Sequence, residues 1–175
     1  LMSLRLIPNL DVIRPSNSME LIHSYRYALE KKDNPKAIIL SRQNMKFFDN
    51  DVSYKDFQKG AYEFMPGKDI TLVATGSELE LAVEISKNLK DLSVQIISAP
   101  ILNKINKKMI GSLNLNQNIF TLELGRSTGW DSYIENITRS FSIDSFGESA
   151  PIEALTERFS FSAKKISDEI RSLLN

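Results

Sequence analysis

The 175 residues carry 22 Lys+Arg against 22 Asp+Glu, and this zero net charge excludes the basic footprint of a nucleic-acid binder. Cysteine is absent, which excludes disulfides, thiolate metal sites and cysteine nucleophiles and suits a cytoplasmic setting, and the single histidine, His23, excludes a His-rich metal cluster. Hydrophobic residues at 42% and charged residues at 25% fit a soluble globular chain, and no apolar run is long enough to span a bilayer.

The first strand is predicted over Leu10–Ile13 and stops at Pro15, which cannot donate to a ladder. Asn17 reads as an N-cap, with Glu20 three residues on to complete a capping box. The helix that follows reaches about Lys32. Its apolar positions Leu21, Ile22, Tyr25, Ala28 and Leu29 share one face and are expected to point inward. His23 lies within this helix and reads as a structural or surface residue. The apolar run Ala37–Leu40 is a buried strand that delivers Ser41 and Arg42. Residues 1–45 therefore form part of an α/β domain. Residues 46–58, with Asp49, Asn50, Asp51 and Ser53, form a linker, which the aromatics Phe47, Phe48, Tyr54 and Phe57 are expected to pin to the two domains it joins.

A second domain occupies residues 59–175. Strands are predicted over Ala61–Met65 and Asp69–Thr75, joined as a hairpin by the turn Pro66-Gly67-Lys68. Ser77 is placed to cap a helix carrying Leu79, Ala82, Val83, Ser86 and Leu89, with Glu80 at its capping-box position. Next come a strand at Val94–Ser98, a helix near Lys104–Ile110 and a strand at Ile119–Leu124. A helix is expected over Trp130–Arg139, and a last strand around Ile143. Helices at Ile152–Arg158 and Ala163–Leu174 close the chain. Strands alternating with helices imply a three-layer α/β/α domain with a mostly parallel sheet and one antiparallel edge strand.

Arg42, in Ser41-Arg42-Gln43-Asn44, carries the most functional information. An arginine at the carboxyl end of a strand faces the crevice where α/β sheets bind ligands, and its planar fork suits a phosphate or carboxylate. A surface ion-pair partner would look the same in isolation. Its neighbours add Ile7-Pro8-Asn9-Leu10-Asp11-Val12-Ile13-Arg14-Pro15 upstream, then Ala74-Thr75-Gly76-Ser77-Glu78 and Phe146-Gly147-Glu148-Ser149-Ala150-Pro151 downstream. In this order and spacing, over nearly the whole chain, these segments resemble the C-terminal part of transketolase.

The resemblance implies thiamine-diphosphate-dependent transfer of a two-carbon ketol unit between sugar phosphates in the pentose phosphate pathway, by a magnesium-dependent cytoplasmic homodimer. It implies that Arg42 contacts the substrate phosphate. It also implies that the cofactor and metal ligands lie upstream of the region matched here, so the chain reads as a C-terminal portion that is inactive alone. No nucleic-acid or membrane partner is expected. The alternative is an assembly or regulatory C-terminal module of another thiamine-diphosphate enzyme, a deoxyxylulose-phosphate synthase or a 2-oxoacid dehydrogenase β-subunit.

Three other segments invite a functional reading. Thr75-Gly76-Ser77 is a strand–glycine–helix turn that can bind an anion, but it lacks the full glycine fingerprint of a nucleotide site, and a tight turn and cap, the preferred reading, explain the residues without a ligand. Glu123-Leu124-Gly125-Arg126 sits at a strand end, where a structural or interface role is preferred to a catalytic one; the transketolases more usually have alanine at the position of Leu124. Phe146–Pro151 reads as architectural. Trp130 and Tyr133 suit either an interface or the core.

Overall fold

The computed structural model describes residues 1–46, 48 and 52–174. In chain order the elements are α1 (Met2–Arg5), β1 (Asp11–Ile13), α2 (Ser18–Glu30), β2 (Lys36–Ile38), α3 (Tyr54–Phe57), β3 (Tyr62–Met65), β4 (Ile70–Ala74), α4 (Glu78–Asn88), β5 (Val94–Ser98), α5 (Lys107–Ser112), β6 (Asn118–Leu122), β7 (Ile137–Phe141), α6 (Ile152–Arg158) and α7 (Ala163–Leu174). Short 3-10 turns lie at Leu102–Lys104 and Trp130–Ser132. No described helix is long and apolar enough to cross a membrane.

The main sheet has the order β3-β5-β4-β6-β7, with β3 antiparallel to β5 and every other pair parallel. Side chains alternate across it as a pleated strand requires. Ile70, Leu72 and Ala74 of β4 face α4 and α7, together with Ile96, Phe120 and Leu122. Val73 faces the opposite layer, with Ile97, Ile119, Leu102, Met109, Trp130 and Ile134. Three layers result, as the alternation of strands and helices predicts.

β3 is the antiparallel edge strand, but it does not form a hairpin with β4. β5 lies between them. The connection 66–69 crosses the start of β5, where the Lys68 and Asp69 amides donate to the Ser93 carbonyl at 3.0 and 2.9 Å. Gly67 passes so close to the Val94–Gln95 peptide that a Cβ could not fit there. Turn residues had signalled a reversal; the hydrogen bonds to Ser93 decide which strand becomes the neighbour.

The last strand also differs from expectation. Residues 130–139 do not form one helix. A single 3-10 turn is followed by Asn136 at φ 58°, after which Ile137-Thr138 begin β7 beside β6. The strand expected around Ile143 is thus displaced to Ile137–Phe141, and the left-handed asparagine is the local break that separates turn from strand.

The first 46 residues fold against this domain. β1 and β2 pair in parallel as a two-stranded sheet. The other edge of β1 is already partnered: Asn103 Oδ1 accepts from the Val12 amide at 3.2 Å, Asn103 Nδ2 donates to Leu10 O at 2.6 Å, and the Arg14 amide donates to Pro100 O at 2.8 Å. Asn17 caps α2 as expected, accepting from the Glu20 amide at 2.9 Å. The reciprocal arm of the box goes one residue further back, with the Glu20 carboxylate accepting from the Ser16 amide at 2.6 Å.

The inward face of α2 is the reverse of the one its apolar pattern predicts. Glu20, His23, Ser24 and Tyr27 are buried, whereas Ile22, Tyr25 and Leu29 are 58%, 53% and 73% exposed. Glu20 and one ring nitrogen of His23 find partners, whereas His23 Nδ1 is buried without one among the described residues. Glu20 accepts from Tyr62 Oη at 2.8 Å and Ser98 Oγ at 2.6 Å, and His23 Nε2 donates to Val52 O at 2.8 Å. Phe57 is fully buried beside Tyr27, with ring centroids 6.4 Å apart, and shares a cluster with Ile13, Tyr62 and Ile101. Arg26 lies 4.0 Å over the Tyr54 ring, and Phe48 meets Phe64 edge-on at 5.4 Å. These contacts match the expected aromatic anchoring of the linker; Phe47, Asp49, Asn50 and Asp51 lie outside the described residues.

Ile22, Tyr25 and Leu29 fall at i, i+3 and i+7, so α2 presents a continuous apolar stripe to solvent, a feature that drives association. The 175-residue chain is expected to self-associate at high concentration. Replacing all three residues by glutamine should reduce that association without unfolding the chain. Sedimentation equilibrium on both proteins is the check, and a parent chain that stays monomeric at high concentration refutes the expectation.

Candidate functional site

The strands of the main sheet wind outward in opposite directions from β4 and β6. Their carboxyl ends form the topological switch point, where open α/β sheets ordinarily hold a ligand. Thr75-Gly76-Ser77 leaves β4 at this point, and Glu123 leaves β6. The crevice between them receives two arginines from the first 14 residues. Arg5 grips Glu123 with both ends of its fork, at 2.6 and 2.8 Å. Arg14 Nη1 lies 3.0 Å from Glu123 Oε1, 2.8 Å from Glu78 Oε2 and 3.2 Å from the Thr75 carbonyl. Trp130 Nε1–H donates to the second Glu123 oxygen at 3.0 Å.

Two guanidiniums and two carboxylates are thus buried together, which neutralises the cluster. Gly76, at φ +64°, makes room for it: a Cβ there would lie 3.1 Å from Arg14 Cζ. The turn expected as a possible anion site therefore holds an internal cation, flanked by Glu78. Ser77 does not cap α4 through its side chain; its hydroxyl donates to Glu78 Oε1 at 2.7 Å. Glu80, expected in the capping box, points away to Lys46. Sequence reasoning named Arg14, Glu78 and Glu123 only within motifs and did not pair them. Trp130 is 1% exposed and belongs to the core as well as to this cluster.

The buried carboxylates respond differently to their surroundings. Burial opposes the charged form of Glu123, yet Arg5, Arg14 and Trp130 together outweigh it and hold the carboxyl below its ordinary value. Burial dominates at Glu78 and pushes it up, with Arg14 as the main offset. Burial likewise raises Glu20, against the opposing hydrogen bonds from Ser98 and Ser16.

Arg42 is placed differently from Arg5 and Arg14. It follows β2 in an exposed segment where Ser41 Oγ accepts from the Gln43 amide at 3.0 Å, and no ion pair or hydrogen bond within the described residues engages its guanidinium. A cleft of about 660 Å³ lies along β7, between Ser127–Asp131 and Phe159–Phe161. Asp131, Asp144 and Glu169 line it against one cation, Arg139, which already pairs with Glu169 at 3.1 Å, so its charge does not suit an anion. Among the described residues no group of three or more His, Asp or Glu side chains is placed to hold a metal ion. The buried acids are committed to one another's partners, and they do not fit a diphosphate–metal ligand set.

Glu123→Gln should cost about 3–5 kcal/mol, because it leaves Arg5 buried without its counter-charge and Arg14 with Glu78 alone. Urea unfolding measures this, and a loss below about 1 kcal/mol would show that the cluster is not needed for folding. The pH dependence carries a sign. Stability from Glu123 is complete above its ordinary value of 4.5 and fades as pH falls through its lowered folded-state value. Glu20 and Glu78 act oppositely, contributing most below 4.5 and losing that contribution as pH rises through their raised values. The Gln variant should lose the acid-side decline assigned to Glu123.

Two family models match the chain. "Transketolase-like TK C-terminal domain" covers residues 60–162, and "Transketolase, pyrimidine binding domain" covers residues 1–47. The transketolase of Halalkalibacterium halodurans is 34% identical over 187 residues, which take in 99% of this chain and 28% of that protein. The Bacillus subtilis transketolase is 31% identical, with 100% of this chain and 28% of that protein covered. A Pichia stipitis transketolase solved in complex with sedoheptulose-7-phosphate superposes at a TM-score of 0.88 with 26% identity, over 98% of this chain and 26% of that one. The chain thus spans little more than a quarter of the length of these relatives. Two family models, relatives covering it end to end and a common fold converge: the chain belongs to the transketolase family.

Proposed function

We propose that these residues form the C-terminal portion of a thiamine-diphosphate-dependent transketolase that moves a two-carbon ketol unit from a ketose phosphate to an aldose phosphate in the pentose phosphate pathway. Residues 1–45 are read as the end of the pyrimidine-binding domain, 46–58 as a linker and 59–175 as the C-terminal domain. The complete enzyme is read as a cytoplasmic, magnesium-requiring homodimer. The cofactor supplies the carbon–carbon chemistry, and its ligands are assigned to the rest of that enzyme.

One observation carries the substrate assignment. Arg5 and Arg14 are consumed internally, whereas Arg42 stands exposed beyond the carboxyl end of β2, with no ion pair or hydrogen bond to its fork among the described residues. Such a cation forms charge-assisted, bidentate hydrogen bonds with a phosphate. Holding the distant phosphate of a sugar turns binding energy into positioning of the carbonyl end. The sugar phosphate bound by the Pichia stipitis relative supports this substrate class. A separate anion-binding role for the C-terminal domain is not favoured, since Arg14 already fills the Thr75-Gly76-Ser77 turn.

In the complete enzyme, Arg42→Ala should raise KM for phosphorylated substrates about tenfold or more, as expected for charge-assisted bonds worth about 1.5–3 kcal/mol. Unphosphorylated analogues should be far less affected. Steady-state kinetics on both classes is the check, and an equal effect on both would make Arg42 structural. The 175-residue chain alone should bind thiamine diphosphate with magnesium no better than a generic anion. Calorimetric titration giving a micromolar constant, about 8 kcal/mol of binding, would move the cofactor site into this chain.

A further inference from the structure

Glu80 and Glu84 lie one turn apart on the exposed flank of α4, a spacing at which like charges repel. Lys46 bridges them. Its Nζ is 2.7 Å from Glu80 Oε1 and 2.6 Å from Glu84 Oε1, and its backbone amide donates to Glu80 Oε2 at 3.2 Å. Both hydrogen bonds from the Lys46 side chain raise its affinity for the proton, so the tether stays charged across the physiological range. Lys46 closes the segment that carries Arg42. At the other end of that segment the Ile39 amide donates to Ile13 O at 2.8 Å.

Between these two fixed points, the Ser41 Oγ–Gln43 amide bond is the one hydrogen bond that residues 40–45 make among the described residues. The position of Arg42 thus depends on how firmly both ends are held. The downstream end is held by α4, the helix whose first turn also receives Arg14. The two carboxylates on α4 have no other cation among the ion pairs of the described residues.

We propose that Lys46 is a positioning residue: its double ion pair to Glu80 and Glu84 fastens the Arg42 segment to the C-terminal domain and sets where the phosphate-binding guanidinium stands. The role of Arg42 in this proposal rests on the function proposed above; the tether itself does not.

Two measurements separate the two. The first is amide hydrogen exchange over residues 41–46 in the 175-residue chain. Lys46→Met should accelerate it, and Lys46→Arg should restore the slower exchange. Unchanged exchange in Lys46→Met would overturn the tether. The second uses the active enzyme that contains this chain. Lys46→Met should raise KM for a phosphorylated sugar about two- to fivefold, the range that exposed ion pairs give, with kcat moving less than KM. A Glu80→Gln/Glu84→Gln double variant should reproduce the change. In an Arg42→Ala background Lys46→Met should add nothing, because the two act through one contact. A full additive effect in that background would overturn the positioning role. Accelerated exchange alongside an Arg42→Ala enzyme with no phosphate-selective change would support the tether and overturn the assignment of Arg42.

Discussion

The organisation of this chain depends on one buried carboxylate. Glu123 leaves the central strand β6 and collects both ends of the Arg5 fork, one nitrogen of Arg14 and the Trp130 indole. A carboxylate taken out of water at this depth is tolerated only when opposite charges and hydrogen bonds replace its hydration. Those charges come from residues more than 100 positions away in sequence. The first 14 residues are therefore not an appendage to the sheet domain; they complete its electrostatics.

That constraint redistributes the usual roles of an α/β sheet. The carboxyl ends of β4 and β6 are where such a sheet would be expected to take a ligand. Here the crevice is occupied by protein, and the turn suited by its backbone to an anion is filled by Arg14 against Gly76. The crevice of the main sheet thus holds the first 14 residues in place through Arg5 and Arg14. Arg42, by contrast, is exposed, and no acid among the described residues pairs with it.

The same logic explains the orientation of α2. A helix with an apolar stripe normally buries it. Here the polar side turns inward because Glu20 satisfies the Ser16 amide, Tyr62 and Ser98 at once, and because Tyr27 reaches Asp11 and Lys104 at 2.7 and 2.6 Å. A rotated helix would leave the Glu20 carboxyl group and its hydrogen-bond partners buried and unpaired, which costs free energy. The apolar stripe is left facing outward as a consequence.

Much of this was legible in the residues themselves. The apolar, β-branched runs Ile70–Ala74 and Val94–Ser98 and the stripe of α7 specify strands and helices through local pattern, which needs no knowledge of the rest of the chain. The Ser41-Arg42-Gln43-Asn44 segment and its companions pointed to the family through their resemblance to transketolase motifs. Which strand neighbours which was decided by tertiary contacts: Ser93 draws the 66–69 connection across β5, so a sequence that reads as a hairpin becomes an edge strand one place removed. The pairing of Arg5 and Arg14 with Glu123, the inward turn of Glu20 and the attachment of Lys46 to Glu80 and Glu84 were likewise invisible in sequence. Each joins groups far apart in the chain, and a charged residue carries no local signal of whether it will meet water or a counter-charge until the fold brings one to it.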